Sequence, residues 1–392
     1  MQQFYRQHNG LAHSSYIKQK NAFDYDAFGW ADFWSNALCP LGYEVNESTV
    51  NAEFIQRAWA QENGLRNWRT MPLEDIAVAQ VAQFKPDIIW FDYHGESLVN
   101  KIRAVSPNTK LRLGWSGSAI TQTNIWQCLD VILSCAPETV AYFRQQGLRA
   151  EHLNHGFDAR IKARLKKQNH PSLDVSFIGS IVRSKGFHLI REQILEEITS
   201  QAQIRIFSPA AEESVQDQLK LQTKQIAYTF TQLLMSLHTP KFFLRRMPII
   251  RKFVDINSKP ANRLNPKLKP FVVPPVYGLI MYQALADSAV TLNIHADSSP
   301  DYASNMRLFE ATGIGACLLT DWKKNLTELF DLEREVVAYK SADEAIEKIR
   351  WLLDHPDERA AIAKAGQTRT LKDHTYSQRA FVLDSIIRKN LA

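Results

Sequence analysis

The segment SNMRLFEATGIGA, residues 304–316, decides the fold class of this chain. An apolar run, residues 289–295, precedes it, and a second apolar run, residues 317–321, follows it. This pattern predicts a strand, a loop, a short helix and another strand, which is the βαβ unit of an open parallel sheet. Such sheets bind ligands beyond the carboxyl ends of their strands, so we expect the helix start to face a ligand.

The predicted helix has residues suited to an anionic ligand at its start. Ser304 is the expected N-cap, which leaves the backbone N–H groups of the first turn free for a phosphate. Arg307 adds a planar set of donors, and Glu310 lies on nearly the same helix face. A partly buried carboxylate at Glu310 could accept two hydrogen bonds from a ribose diol. The alternative is a structural Arg–Glu ion pair, which is common on helices.

Composition indicates an ordinary globular protein. The chain has 392 residues, enough for two domains, with 45% hydrophobic and 22% charged residues. It contains no apolar run of transmembrane length, and its N-terminal residues lack the apolar core of a signal peptide. The four cysteines fit no metal-ligand spacing, and we expect them to be reduced. A net charge of +6 permits anionic partners without indicating nucleic acid. These features predict a cytoplasmic protein.

The N-terminal half predicts a parallel sheet. Apolar strands alternate with helical patterns, and the strands are expected at 87–92, 110–117, 131–135 and 151–158. Upstream, residues 23–34 are aromatic and acidic; a helix is predicted over 31–38 and a short strand over 43–45. The aromatic residues there favour packing. Asp26, Asp32 and, after the first strand, His94 are alternative candidates for a catalytic base.

A second series of strands and helices begins at residue 173. Gly179 and Ser180 end its first strand, and Arg183 and Lys185 follow in a turn where they either meet phosphate or remain solvated. Another strand is expected at 203–207, then an interruption from about 211 to 275. Within it, residues 241–269 contain nine Lys or Arg and one acid. Three interpretations fit this stretch: it contacts an anionic membrane surface, it covers a partner domain, or it is simply a helical insertion.

The C-terminal third resembles the CgeB-like glycosyltransferases, which are similar to group-one glycosyltransferases of GT-B fold. The matching text is YGLIMY (277–282), LNIH (292–295), NMRLFEATG (305–313), LLTD (318–321) and LKDHTY (371–376). The N-terminal half matches more loosely. Relatives begin with a strand ahead of Phe4 and Tyr5, so we expect the first strand here to be irregular or missing.

The resemblance implies an α/β protein of GT-B type, with two Rossmann-like domains whose parallel sheets face a central cleft. Residues 1–165 would form the acceptor domain. Residues 166–374 would form the nucleotide-sugar domain, with a basic helical insertion at about 211–275. Residues 375–392 would form a helix that packs back on the first domain.

The resemblance also assigns roles to residues. Glu310 would bind the donor ribose, and Asn305 and Arg307 the diphosphate. Two departures concern the donor: Tyr302 stands where group-one enzymes often carry another glutamate, and Ser180 where a basic residue is frequent. The complete candidate donor-binding set is Gly179, Ser180, Arg183, Lys185, His295, Asn305, Arg307, Leu308 and Glu310. His295 is alternatively a structural hydrogen-bonding residue at the strand end.

The sequence therefore predicts a metal-independent glycosyltransferase of the hexosyltransferase type, acting in surface polysaccharide or glycoconjugate synthesis. It would move a sugar from a nucleotide-diphosphate sugar to a glycan, lipid-linked or protein acceptor. It would need no cofactor besides this donor, no metal and no nucleic acid. The alternative function is a non-catalytic nucleotide-sugar or glycan-binding protein on the same scaffold. The predicted location is cytoplasmic, with the inner face of the membrane as a candidate peripheral site.

Overall fold

The computed structural model of the protein describes residues 1–92, 95–117, 120, 124–166, 170–181, 188–212, 215–237, 239–255, 260 and 264–391. It contains two parallel sheets. The first has the order β1-β2-β3-β4. Its strands are β1 (Ile88–Phe91), β2 (Leu111–Trp115), β3 (Val131–Ser134) and β4 (Ala150–His152).

The second sheet holds six strands in the order β10-β9-β8-β5-β6-β7, all parallel. They are β5 (Leu173–Ile178), β6 (Arg205–Phe207), β7 (Val272–Val273), β8 (Ser288–Asn293), β9 (Cys317–Asp321) and β10 (Val337–Tyr339). Every residue of β8 is buried, because central parallel strands are covered on both faces. The predicted fold class, α/β with two parallel sheets, is confirmed.

Helices surround both sheets. Before and around the first sheet lie α1 (Gln2–Gln7), α2 (Tyr16–Tyr25), α3 (Phe33–Leu38), α4 (Glu53–Glu62), α5 (Leu73–Phe84), α6 (Glu96–Val105) and α7 (Pro137–Gln145). Around the second lie α8 (Leu189–Thr199), α9 (Val215–Ser236), α10 (Lys241–Arg246), α11 (Gly278–Ala286), α12 (Arg307–Ile314), α13 (Leu326–Leu329), α14 (Ala342–Asp354), α15 (Pro356–Asp373) and α16 (Tyr376–Leu391). The helices α9 and α10 occupy the interruption between β6 and β7.

A single hydrophobic core joins the two sheets. It includes Leu113 and Leu133 from the first sheet and Leu308 and Leu318 from the second unit. The last helix, α16, packs against α3 and β2 of the N-terminal half. The chain reaches it through a backbone bridge, in which the N–H of Tyr376 donates to the carbonyl of Phe157 at 3.1 Å. The two halves are thus held by apolar burial as well as by the covalent connection.

One local prediction in the N-terminal half is wrong. Residues 43–45 form no strand, although side-chain exposure alternates along 43–49 as it would in one. The described part of the chain offers this segment no neighbouring strand to pair with, and a strand forms only when it is paired. The basic stretch after residue 158 contains a 3-10 helix, Ala159–Arg164, whose Ile161 is fully buried.

The chain begins with helices instead of a strand. The described residues 1–87 contain α1 to α5 and no strand, so the first strand of the sheet is β1 at Ile88. The aromatic segment that leads from the end of α2 into α3 packs inward: Phe33 and Trp34 at the start of α3 are buried, and Trp30 lies edge-on to Trp115 of β2 with ring centroids 5.1 Å apart. Packing is therefore the role of these aromatic side chains.

Candidate donor-binding site

The start of α12 follows the loop that leaves the carboxyl end of β8. The helix begins at Arg307 with Met306 in the N-cap position, and no described side chain caps it. The prediction that Ser304 is the N-cap is therefore wrong: its hydroxyl donates instead to the hydroxyl of Ser299 at 3.0 Å. Because no side chain occupies the first-turn N–H groups, the helix retains the positive end that favours an anion.

Glu310 and Arg307 form the ion pair that the sequence spacing allows. Arg307 Nη1 lies 2.7 Å from Glu310 Oε2, and the side chains are only 14% and 6% exposed. The hydroxyl of Tyr282, from α11, lies 3.4 Å from the other carboxylate oxygen. Arg307 Nε is buried without a hydrogen-bond partner among the described residues. The pair is consequently incomplete, and both members retain hydrogen-bonding capacity for a ligand.

Asn305 is tied to the strand ends beneath the loop. Its side-chain amide donates to Asn293 Oδ1 at 2.7 Å, and the Asn293 amide in turn donates to Thr320 Oγ1 at 2.9 Å. Asn293 ends β8 and Thr320 lies in β9, so these bonds fix Asn305 to two central strands. The arrangement places Asn305 two residues before the helix, where the resemblance expects a diphosphate contact.

His295 is locked by an aspartate that the sequence analysis did not select. His295 Nδ1 lies 2.7 Å from Asp321 Oδ1, and the same oxygen accepts the His295 backbone N–H at 3.1 Å. Burial opposes ionisation of Asp321, but the His295 imidazole and Lys323 together hold its pKa below the usual range. The His295 side chain is fully buried, and its Nε2 has no partner among the described residues. Asp321 thus sets the orientation of the ring.

The turn after β5 is held by a buried arginine. Arg191 of α8 donates through Nη1 to the carbonyl of Ser180 at 2.8 Å and through Nη2 to the carbonyl of Ile294 at 2.7 Å. Burial lowers the pKa of Arg191 to about 10, although Asp321 and Asp297 oppose this. Arg191 therefore joins the Gly179–Ser180 turn to the end of β8. The candidates Arg183 and Lys185 lie outside the described residues.

Asp26 contacts the C-terminal half at the start of α11. The backbone N–H of Leu279 donates to its carboxylate, and burial raises the pKa of Asp26 to about 6. A Cβ at Gly278 would lie 2.2 Å from Asp26 Oδ2, so the glycine, with φ of 56°, is required for this close approach. A carboxylate that titrates near neutrality suits a general base.

Asp32 is engaged by Arg160. Both of its oxygens accept from the guanidinium at 2.8 Å, and the same arginine pairs with the buried Asp158. A base role for Asp32 would require this bidentate ion pair to open. His94, the third candidate, lies outside the described residues.

A second acidic contact links the two halves at the loop before α12. Glu138, in the first turn of α7, accepts the backbone N–H of Tyr302 at 3.1 Å and that of Asp301 at 3.3 Å. Ser299 Oγ also donates to it, at 3.2 Å. A residue of the first unit thereby fixes the loop that carries Tyr302. Glu138 lies shortly after β3 in the chain, and this position could have identified it from the sequence, since residues at the carboxyl ends of parallel strands line ligand sites.

Leu308 is the last of the described donor-binding candidates. The side chain of Leu308 is fully buried in the core, so only its backbone remains available to a donor.

The described residues contain no cluster of three or more His, Cys, Asp or Glu that could hold a metal ion. None of the described helices combines the length and apolar character needed to cross a bilayer.

Comparison with known protein families matches the C-terminal part of the chain. Residues 258–384, about a third of the chain, match the family model described as Glycosyl transferase-like. The segment includes β8, α12 and β9, and therefore the Arg307–Glu310 pair. No curated protein sequence matches the chain. The CgeB-like subtype remains a prediction.

Solved structures match most of the length of this chain. HepE (Alr3699) of Anabaena in complex with UDP-glucose has a TM-score of 0.50 at 12% identity, covering 82% of this chain and 83% of that chain. Its complex with UDP and glucose gives 0.50 at 13% identity, with 82% of each chain covered. A glycosyltransferase from Rickettsia africae gives 0.49 at 10% identity, covering 89% of this chain and 84% of that chain. The C-terminal third matches a glycosyl transferase-like family model, and the chain has a GT-B fold.

Proposed function

We propose that the protein transfers a sugar from a nucleotide-diphosphate sugar to a glycan, a lipid-linked or a protein acceptor, in the synthesis of surface polysaccharide or glycoconjugates. The Arg307–Glu310 pair carries the proposal. It is a buried carboxylate and a guanidinium with an unpartnered Nε, at the start of a helix that follows a central strand. A ribose diol and a diphosphate have the complementary hydrogen-bonding groups.

In the proposed reaction, an acceptor hydroxyl attacks the anomeric carbon and the bond from that carbon to the diphosphate oxygen breaks. The leaving diphosphate takes the electron pair and gathers negative charge. Arg307 and the first-turn N–H groups of α12 stabilise this charge, and His295 adds a further donor when Nε2 is protonated. These fixed hydrogen-bond donors of the protein are sufficient to stabilise the charge on the leaving diphosphate, so we propose a metal-independent transfer.

The hydroxyl proton requires a base, and Asp26 is the stronger of the two described candidates. Among the described residues, no arginine forms an ion pair with Asp26, and its pKa of about 6 leaves it mostly ionised at neutral pH. Asp32 is held by two hydrogen bonds from Arg160. His94 remains an alternative base.

The acceptor side includes a proposed contact with an anionic membrane surface through residues 241–269. The N-terminal part of this segment exposes Phe242, Phe243 and Ile249 by more than half. Arg245 and Arg246 lie between these apolar residues in the chain, and both are exposed. Exposed aromatic and aliphatic side chains among arginines suit the boundary of an anionic bilayer. Such a contact would place the enzyme beside a lipid-linked acceptor.

A thermal-shift screen over nucleotide sugars tests donor binding directly. Ligands that bind only the folded protein raise the melting temperature, so the ranking identifies the donor. UDP-glucose, UDP and GDP-sugars are the first compounds to test, since UDP and UDP-glucose are bound in the HepE structures. Absence of any shift at millimolar concentrations would contradict the proposal.

Turnover separates catalysis from binding alone. Hydrolysis or transfer of a radiolabelled nucleotide sugar supports the enzyme. Binding without turnover across glycan, lipid-linked and protein acceptors supports the alternative, a non-catalytic nucleotide-sugar or glycan-binding protein. The donor most effective in the thermal screen is the one to label.

A further inference from the structure

The helix α9 carries an exposed apolar stripe with heptad spacing. Its members are spaced alternately four and three residues apart, and all except one threonine are apolar. They are Leu219, Thr223, Ile226, Phe230, Leu233 and, in the turn directly after the helix, Leu237. The five apolar side chains are between 48% and 71% exposed. At about 100° per residue, all six positions fall within roughly 80° of the helix circumference. This narrow stripe has the period of a coiled-coil seam.

A different face of α9 attaches the helix to its own chain. Leu234 and Met235 pack against a small core of Leu244, Ile250 and Val254. Leu234 lies about 60° and Met235 about 160° around the helix from the centre of the stripe, so the attached face borders the stripe on one side without including it. The stripe is therefore not the surface that seats α9 on the protein.

The residues flanking the stripe favour a helix over a bilayer as its occupant. The two rows of residues on either side of the stripe contain one charged residue, Lys220. Their other side chains are neutral and are Gln222, Ala227, Thr229, Leu234 and Ser236. Helices that lie on anionic membranes carry a broad apolar face bordered by Lys and Arg. The neutral borders of α9 also allow two identical helices to approach without repulsion between like charges.

We propose that α9 is a self-association helix, and that its stripe pairs with the same stripe on a second copy of this chain. Such a pair is isologous, because one surface meets its own copy across a two-fold axis. Each copy contributes roughly 500 Å² of apolar surface, so the pair buries about 1,000 Å², near the lower limit for a specific interface. An interface of this size belongs to the weak, transient class, so we expect a dimer that forms only as the concentration rises.

The test is sedimentation velocity of the full chain between about 1 and about 100 μM, a range that spans micromolar dissociation. We expect the wild type to form a dimer as the concentration rises. The double variant Ile226→Glu/Leu233→Glu should remain a monomer, because each dimer would bury four carboxylates in the seam. Phe381→Glu is the matched control, since Phe381 of α16 is 63% exposed; it should dimerise like the wild type. Circular dichroism melting checks that every variant is folded.

A charge-pairing experiment shows whether stripe meets stripe. Phe230 lies near the middle of the stripe, so the Phe230→Glu and Phe230→Lys chains should each be monomeric, while their equimolar mixture should associate. A wild type that stays monomeric at the highest concentration overturns the proposal, as does a double variant that dimerises as tightly as the wild type. Failure of the mixture to associate shows that the stripe meets another surface. Flotation of a monomeric wild type with anionic vesicles, lost in the double variant, assigns the stripe to the membrane instead.

Discussion

Replacing Glu310 by glutamine should weaken nucleotide binding about 10- to 150-fold. The carboxylate of Glu310 is 6% exposed and can accept both hydroxyls of a ribose diol while Arg307 neutralises its charge. Glutamine offers one acceptor oxygen and presents an NH₂ group to the second hydroxyl. Losing a hydrogen bond to a charged group costs about 1.5–3 kcal/mol, which converts to this range of dissociation constants.

The same substitution should lower the free energy of unfolding by about 1–3 kcal/mol, because Arg307 loses its buried counter-ion and keeps one neutral acceptor. Urea denaturation measures this loss, and calorimetric titration with the nucleotide selected by the thermal screen measures binding. Glu333→Gln is the matched control. Glu333 also pairs with a cation, Lys348 at 3.0 Å, but its side chain is 55% exposed and lies next to β10; it should bind like the wild type.

A nucleotide analogue without the 2′ or 3′ hydroxyl makes the test specific for ribose. If Glu310 holds the diol, removing a hydroxyl and removing the charge should be strongly non-additive, because both delete the same interaction. A Glu310→Gln protein that binds the nucleotide within about twofold of the wild type refutes the argument. The Arg307–Glu310 pair would then be structural, and the donor would be held elsewhere in the cleft.

Four further outcomes follow from particular contacts. Because burial raises the pKa of Asp26 from 3.8 to about 6, the contribution of Asp26 to stability should fall as pH rises through that interval. The Asp26→Asn variant should therefore have a free energy of unfolding up to about 1 kcal/mol higher than wild type above pH 6, and no higher near pH 4. Urea denaturation at both pH values measures this difference. An equal gain at both pH values would contradict the raised pKa. Gly313→Ala should destabilise the fold by about 1–3 kcal/mol, because the new Cβ would lie 2.3 Å from the buried ring of Phe157. EDTA should leave sugar transfer unchanged in a radiolabel assay, whereas loss of activity restored by a divalent cation would disprove the metal-independent route. Phe242→Ser/Phe243→Ser should reduce flotation with anionic vesicles, and equal flotation would remove the membrane contact at 241–269.

Local sequence pattern predicted much of the architecture. The apolar-rich segments around residue 290 and residue 318 became β8 and β9, and nearly all their residues are buried because central parallel strands are covered on both faces. The helix between them was also expected, and its end is encoded by Gly315, whose φ of 93° favours glycine. The glycosyltransferase prediction for this part of the chain agrees with the family match over residues 258–384.

Other features depended on partners distant in the chain. Ser304 has the residue type of an N-cap, but the loop folds back and its hydroxyl meets Ser299 instead. Residues 43–45 have the alternation of a strand and find no strand to pair with. Local propensity cannot foresee such outcomes, because hydrogen-bond partners are chosen by the tertiary arrangement.

By itself, the sequence determined which residues form the sheet around β8 and that Arg307 and Glu310 share a helix face, since both facts depend on spacing of a few residues. Only the tertiary structure decided what surrounds that pair. It brought Tyr282 to Glu310, locked His295 onto Asp321, and directed Asp26 to the start of α11 from about 250 residues away in the chain. The physical reason is that burial and hydrogen bonding act over distances of a few ångströms, and no periodicity in the sequence records which distant segments come that close.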